Sequence, residues 1–265
     1  MVLVDSHAHL YLEDFKDDID NVIKDSIDNG IKYMILPNID SMSIESMLAL
    51  AARYPENCFP SIGIHPTSIN ENYQDELEAV EKEIKENYRK YCCIGEIGID
   101  LYWDKTYQEQ QEIAFIRQMK LAEDLKLPIS IHSRNSMNEM IRILKKEKPG
   151  NVNGVFHCFP GNTIEANKVI EMGFKLGIGG VVTFKNAGIK DVVKNIPLEH
   201  IILETDAPYL TPVPYRGKRN ESKYIRLIAE EVAKIKELSL EEVAEVTTGN
   251  ALELFRIGYG TAINL

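Results

Sequence analysis

Short apolar, β-branched runs alternate with longer amphipathic stretches from one end of this 265-residue chain to the other. Unbroken or period-two apolar runs of that length read as strands, whereas apolar positions three and four apart read as helices. Strands are expected at residues 2–5, 33–37, 58–64, 92–96, 128–132, 154–157, 174–178 and 201–204. Helices are expected near 17–28, 43–53, 75–88, 107–126, 137–146, 163–172, 187–194 and 222–236, with one or two more over 239–255. Asn29-Gly30 and Met172-Gly173 supply the left-handed residue that ends a helix, and Pro128 leads straight from the long fourth helix into a strand. Regular alternation of this kind builds βα units around a parallel sheet. No repeat, low-complexity tract or Gly/Ser/Pro-rich linker divides the chain. The expectation is therefore an α/β fold in one domain, a TIM-type (β/α)8 barrel over residues 1–257 with extra C-terminal helices. Residues 258–265 are expected to form a weakly ordered tail.

Composition changes this picture only at the margins. The net charge of −11 argues against coating nucleic acid through bulk electrostatics, while leaving room for a local basic rim. No charged leader precedes an apolar run, and no apolar stretch approaches the ~18 residues of a bilayer span. A cytoplasmic, membrane-free protein is expected, monomeric and with no obligate protein partner. Cys58, Cys92, Cys93 and Cys158 lie in or beside apolar runs without CxxC spacing, which suits buried reduced thiols better than disulfides or a zinc site.

The chemistry gathers where the apolar runs stop: D-S-H-A-H at 5–9, G-E-I-G-I-D at 95–100, I-H-S-R at 131–134, F-H-C-F at 156–159 and E-T-D at 204–206. In a barrel those strand ends converge on one mouth. His7 and His9, two apart in an extended segment, face the same way and can bind one ion together. Glu96, between Gly95 and Gly98 at the end of its run, can bridge two cations through its two oxygens. His132 or His157 alone would more often be a hydrogen-bonded core histidine, but on adjacent strand ends they can share a second ion. Asp206 precedes Ala207-Pro208, where the chain must stay extended; in a metal hydrolase it would bind the first ion and accept a proton from the attacking water. Imidazole plus carboxylate is the donor set of a hydrolytic divalent centre.

With those residues in place, the chain resembles the TatD family of metal-dependent deoxyribonucleases, within the amidohydrolase-like barrels. The resemblance runs from the first strand to about Phe255. It includes G-I-H-P at 63–66, G-I-D-L-Y-W at 98–103, G-V-V-T-F-K-N-A at 180–187, L-E-T-D-A-P-Y-L at 203–210 and R-G-K-R-N-E at 216–221. It implies that His7, His9, Glu96 and Asp206 hold one divalent ion and that Glu96, His132 and His157 hold another, as magnesium, manganese or zinc. It places His65 and Glu204 behind the ligands or on the substrate side. The chain departs from the family pattern at Asn135-Ser136, at Pro160 and at Ser222, none of them a proposed ligand.

The activity implied is phosphodiester hydrolysis of DNA, as an exonuclease on single-stranded or frayed ends, with two metals activating water. A metal-dependent hydrolase of an amide or an aminoacyl ester, such as D-aminoacyl-tRNA deacylation, would need the same metal set. A barrel that kept its shape as a non-catalytic binding protein would not need all six ligands. Arg134, Lys185 and Arg216, with Lys218 and Arg219, could form a basic rim that grips phosphates without reading bases. Trp103, the single tryptophan, could stack on a base. His200, before the last strand, falls at the opposite end of the barrel.

Overall fold

The computed structural model describes residues 1–258, so the expected tail lies outside the described residues apart from Gly258. Eight strands alternate with helices in chain order. They are β1 (Leu3–Asp5), α1 (Ile19–Asp28), β2 (Ile31–Leu36), α2 (Ile44–Arg53), β3 (Cys58–Ile62), α3 (Tyr73–Asn87), β4 (Cys93–Asp100) and α4 (Gln108–Leu125). Then come β5 (Ile129–Arg134), α5 (Met137–Glu147), β6 (Gly154–Phe156), α6 (Thr163–Glu171), β7 (Phe174–Ile178), α7 (Ile189–Asn195), β8 (Ile201–Leu203), α8 (Ile225–Lys236) and α9 (Leu240–Phe255). The helices form because their apolar residues share one stripe: α8 buries Ile225, Ile228, Ala229, Val232 and Ala233. Asn162 caps α6 by accepting from the N–H groups of Ile164 and Glu165, and Gly30 and Gly173 take the positive φ expected of them.

Each strand pairs in parallel with its successor, from β1 through to β8. The ring closes between β8 and β1. There the Ser6 N–H donates to Leu203 O (3.1 Å), the Asp206 N–H to His7 O (2.8 Å) and the His9 N–H to Ala207 O (2.8 Å). Asp5, fully buried, fastens the same seam by accepting from the Thr205 N–H (2.8 Å) and the Thr205 hydroxyl (2.6 Å). A small apolar cluster then ties Val4, Ile35, Phe59, Val155 and Ile202 to Ala251, Leu254 and Phe255 of α9. A parallel sheet covered by helices is buried on both faces, which is why its strands read as unbroken apolar runs.

Two strands run further than the sequence suggests. β4 continues to Asp100 and β5 to Arg134, so Glu96 and His132 lie within strands and not at their ends. The β4–β5 register slips between Ile94 and Ile97, where three steps on β4 match two on β5. Such a bulge re-aims the side chain that it carries, here Glu96. Gly98 sits directly opposite His132, so close that a Cβ would meet the His132 carbonyl oxygen at 1.9 Å.

Candidate metal centre

Five of the six histidines of the chain converge on one mouth of the barrel, around Glu96. His7 and His9 follow β1, His65 follows β3, His132 lies in β5 and His157 directly follows β6. Asp206 comes three residues after β8 and holds a positive φ of 60° while its N–H donates to His7 O. Short polar side chains such as Asp tolerate that conformation, which here turns the carboxyl into the cavity that the mouth encloses, a space of about 940 Å³.

The two oxygens of Glu96 serve different neighbours. Oε2 lies 3.0 Å from His7 Nε2 and 3.7 Å from His9 Nε2. Oε1 lies 2.8 Å from His132 Nδ1, 3.2 Å from His157 Nε2 and 3.4 Å from His65 Nε2. Asp206 Oδ1 completes the first group, 3.6 Å from His9 Nε2 and 3.9 Å from His7 Nε2. One buried carboxylate thus stands between two sets of nitrogens, the geometry of a shared ligand.

The outer nitrogen of each ring fixes which inner lone pair is free. The Tyr11 hydroxyl donates to Pro37 O (2.6 Å), so its oxygen accepts from His9 Nδ1–H (3.2 Å) and leaves His9 Nε2 open toward Asp206. Asp100 Oδ2 can only accept, so His132 Nε2–H donates to it (3.0 Å) and Nδ1 faces Glu96. Glu204, fully buried, accepts from the Cys158 N–H and lies 3.3 Å from His157 Nδ1, within ion-pair reach but not in hydrogen-bond alignment. His65 is different. Its Nδ1 accepts from the Thr67 N–H (3.1 Å), so its Nε2 carries the proton and donates to His132 Nδ1 (3.3 Å), with Glu96 Oε1 3.4 Å away. At His9 and His132 the inner nitrogen is therefore the one that would meet an ion, and at His65 that nitrogen carries a proton instead.

Burial alone would raise the Glu96 carboxyl, but the charges of His157, His65 and His7 and the His132 hydrogen bond outweigh it and hold the group well below the usual carboxylate range. Asp206 is lowered in the same way: burial opposes, while the nearby His9 ring and the charges of His157 and His7 prevail. Burial would lower His157 and His132, yet Glu96, with Glu204 or Asp100, keeps both above their ordinary value. Burial dominates at His7 and His65, which are lowered. The Cys158 thiol, pushed by burial up to about 12, stays protonated and outside the donor set. Nitrogen and carboxylate donors with no thiolate fit magnesium, manganese or zinc.

An ion that takes His132 and His157 must displace protons that these rings retain above the ordinary histidine value. At low pH both protons compete. As pH rises through the neutral range the competition fades, so apparent affinity should climb by about tenfold per pH unit for each proton released. Titration calorimetry with Mn²⁺ between about pH 6 and pH 8, in buffers of different ionisation enthalpy, should register proton release. A pH-independent affinity would contradict the assignment of these rings as ligands.

A sequence profile described as TatD-related DNase matches residues 4–256. The chain belongs to the TatD-related DNase family. Its curated relatives include the uncharacterized metal-dependent hydrolase YabD of Bacillus subtilis, 38% identical over 97% of this chain and 100% of that one. Another is the uncharacterized metal-dependent hydrolase YcfH of Escherichia coli K12, 33% identical over 97% of each. The crystal structure of YjjV, a TatD homolog from Escherichia coli K12, superposes with a TM-score of 0.91 at 26% identity, covering 97% of this chain and 98% of the other.

Within this TatD-related barrel the other sequence-predicted residues fall at three depths. His65, Trp103 and Arg134 line the cavity. Glu204 lies beneath it, against Gly177, where it meets His157 and no open space. Lys185 and Arg216 are exposed outside the lining, Arg216 with its guanidinium 4.2 Å over the Phe184 ring. Arg219 leaves the basic rim: it pairs with both carboxylate oxygens of Asp18 (2.7 and 2.9 Å) and with Glu221 (3.2 Å). Sequence reasoning missed Asp100 and Tyr11 as partners of ligand rings. Asp100 was within reach of strand periodicity, since it stands an even four residues past Glu96 on β4, whereas Tyr11 lies in a turn beyond β1. No helix among the described residues is long and apolar enough to cross a membrane.

Proposed function

We propose that the chain is a divalent-metal-dependent hydrolase that cleaves phosphodiester bonds of DNA, acting as an exonuclease on single-stranded or frayed ends. The observation that carries this reading is the division of Glu96: Oε2 toward His7 and His9, Oε1 toward His132 and His157. His7, His9, Glu96 and Asp206 would hold one ion, and Glu96, His132 and His157 a second. Ions bound there supply activation of water as the nucleophile and neutralisation of phosphate charge. Asp206, on the cavity wall with a lowered carboxyl, accepts the proton of the attacking water. Asp100 and Tyr11 hold His132 and His9 in the tautomers that ion binding needs. Arg134, Lys185 and Arg216 contact the strand's phosphates around the mouth. The family description supports DNA over other esters.

The test is digestion of oligonucleotides labelled at either end, in magnesium, manganese and zinc, beside a panel of amides, lactones and aminoacyl esters. A ladder that starts from one end, seen only with metal, is expected. Turnover of an aminoacyl ester or amide with no DNA cleavage in any of the three metals would transfer the site to that other chemistry.

A further inference from the structure

The lip of the cavity beside His132 carries two largely exposed aromatic rings. Trp103 is 69% exposed and Tyr102 53%. Their rings meet edge to face, 4.9 Å apart. Arg134 spans the pair, its guanidinium 4.0 Å from the Tyr102 ring centre and 5.2 Å from that of Trp103. An exposed ring gains little from the core, so these contacts do not account for a tryptophan here; a flat, open ring beside a cationic group fits a second flat, π-faced partner.

The platform is bound to the metal centre by a single side chain. Asp100 Oδ1 accepts from the backbone N–H groups of Tyr102 (2.9 Å) and Trp103 (3.2 Å), while Oδ2 accepts from His132 Nε2–H (3.0 Å). Asp100 and Arg134 are also register partners across β4 and β5. On the facing side Tyr209 lines the same cavity, its ring 6.3 Å from that of His9. A cavity of about 940 Å³ is near the upper end for small-ligand pockets, which is room enough for the end of a strand. With a net charge of −11, the chain gains little from bulk attraction to DNA, so stacking adds affinity at the site itself beside the local phosphate contacts.

We propose that Tyr102, Trp103 and Arg134 form a stacking platform for one unpaired nucleobase, registered to the metal centre through Asp100, so that the cleaved bond is set by its distance from the stacked base and not by base identity. This rests on the reading of the site as a DNA nuclease and adds the substrate feature that it recognises, an unpaired base at the strand end. Asp100 is a positioning residue in this arrangement: it touches no substrate and holds a ligand ring and the platform in one geometry.

Trp103 is the only tryptophan of the chain, so its fluorescence reports the platform directly. In the full chain with metal chelated, which prevents cleavage, a short single-stranded oligonucleotide should quench that fluorescence. The same strand with an abasic terminal sugar should quench it far less. With metal, the wild type should lose roughly tenfold or more in kcat/KM when the terminal base is removed, mainly through KM. Trp103→Ala should lose as much on the intact strand and nothing further on the abasic one, and Trp103→Phe should recover most of the loss. Asp100→Asn should lower kcat and shift the pH profile, because His132 loses one of its two carboxylate partners. Equal quenching by intact and abasic strands, or equal sensitivity of Trp103→Ala and wild type to base removal, would overturn the platform. Failure of the nuclease reading shows separately, as no cleavage of any oligonucleotide, or of the base-free diester bis(p-nitrophenyl) phosphate, in any metal.

Discussion

Replacing Glu96 by Ala is expected to lower metal-stimulated phosphodiester cleavage by roughly 10³-fold or more, an effect of several kcal/mol on the barrier. The size follows from the double use of the side chain. Oε2 and Oε1 face separate nitrogen groups, so a single truncation strips a donor from both candidate ion positions. Glu96→Gln separates charge from shape: it keeps the volume and the His132 contact but removes the negative charge on which the raised values of His157 and His132 depend. Both variants should also carry less metal per chain, measured by elemental analysis beside the cleavage rate. Wild-type turnover by Glu96→Ala after metal repletion would refute the role of this carboxylate.

Gly98→Ala should give the second largest effect, through the fold. Gly98 has a φ of +154°, and a Cβ would lie 1.9 Å from the carbonyl oxygen of His132 and 3.0 Å from its amide nitrogen. Neither strand can give way cheaply, because β4 and β5 are both enclosed by helices and buried along most of their length. Strained backbone and an overpacked contact each cost roughly 1–3 kcal/mol, and together they should lower Tm by roughly 10 °C. What relaxation occurs must displace His132, so residual folded protein should bind metal more weakly. A thermal melt with parallel metal titration checks both. A variant that melts within about 2 °C of the wild type with full metal affinity would show that the strands can part after all.

The barrel is largely legible in the sequence because each βα unit is a local pattern. All eight strands fall where the apolar runs predict them, and the long tail helix appears as α9. The exceptions share a cause. Gly95 and Gly98 look like strand breakers, yet each lets β4 press against β5, so β4 outlasts its expected end and brings Asp100 alongside His132. The tautomer of His65 depends on one backbone N–H two residues away, which no spacing rule encodes. Arg219 looks like a free cation in a loop of basic residues, but its partner Asp18 is 201 positions away and adjacent only once the ring has closed. Side-chain type and strand position were readable, whereas hydrogen-bond direction and long-range pairing came only with the fold.

The seam between β8 and β1 also fixes when the centre can come into being. Asp5 and Thr205, 200 positions apart, are bonded to each other, and Asp206 is held by His7 O. All five site histidines are made before residue 206 is added to the chain. Until that last segment arrives there is no ring to aim them, and contacts of such sequence separation are the slow ones to form. An unfinished copy therefore carries most of the candidate donors of the centre but none of their arrangement, which the final strand supplies.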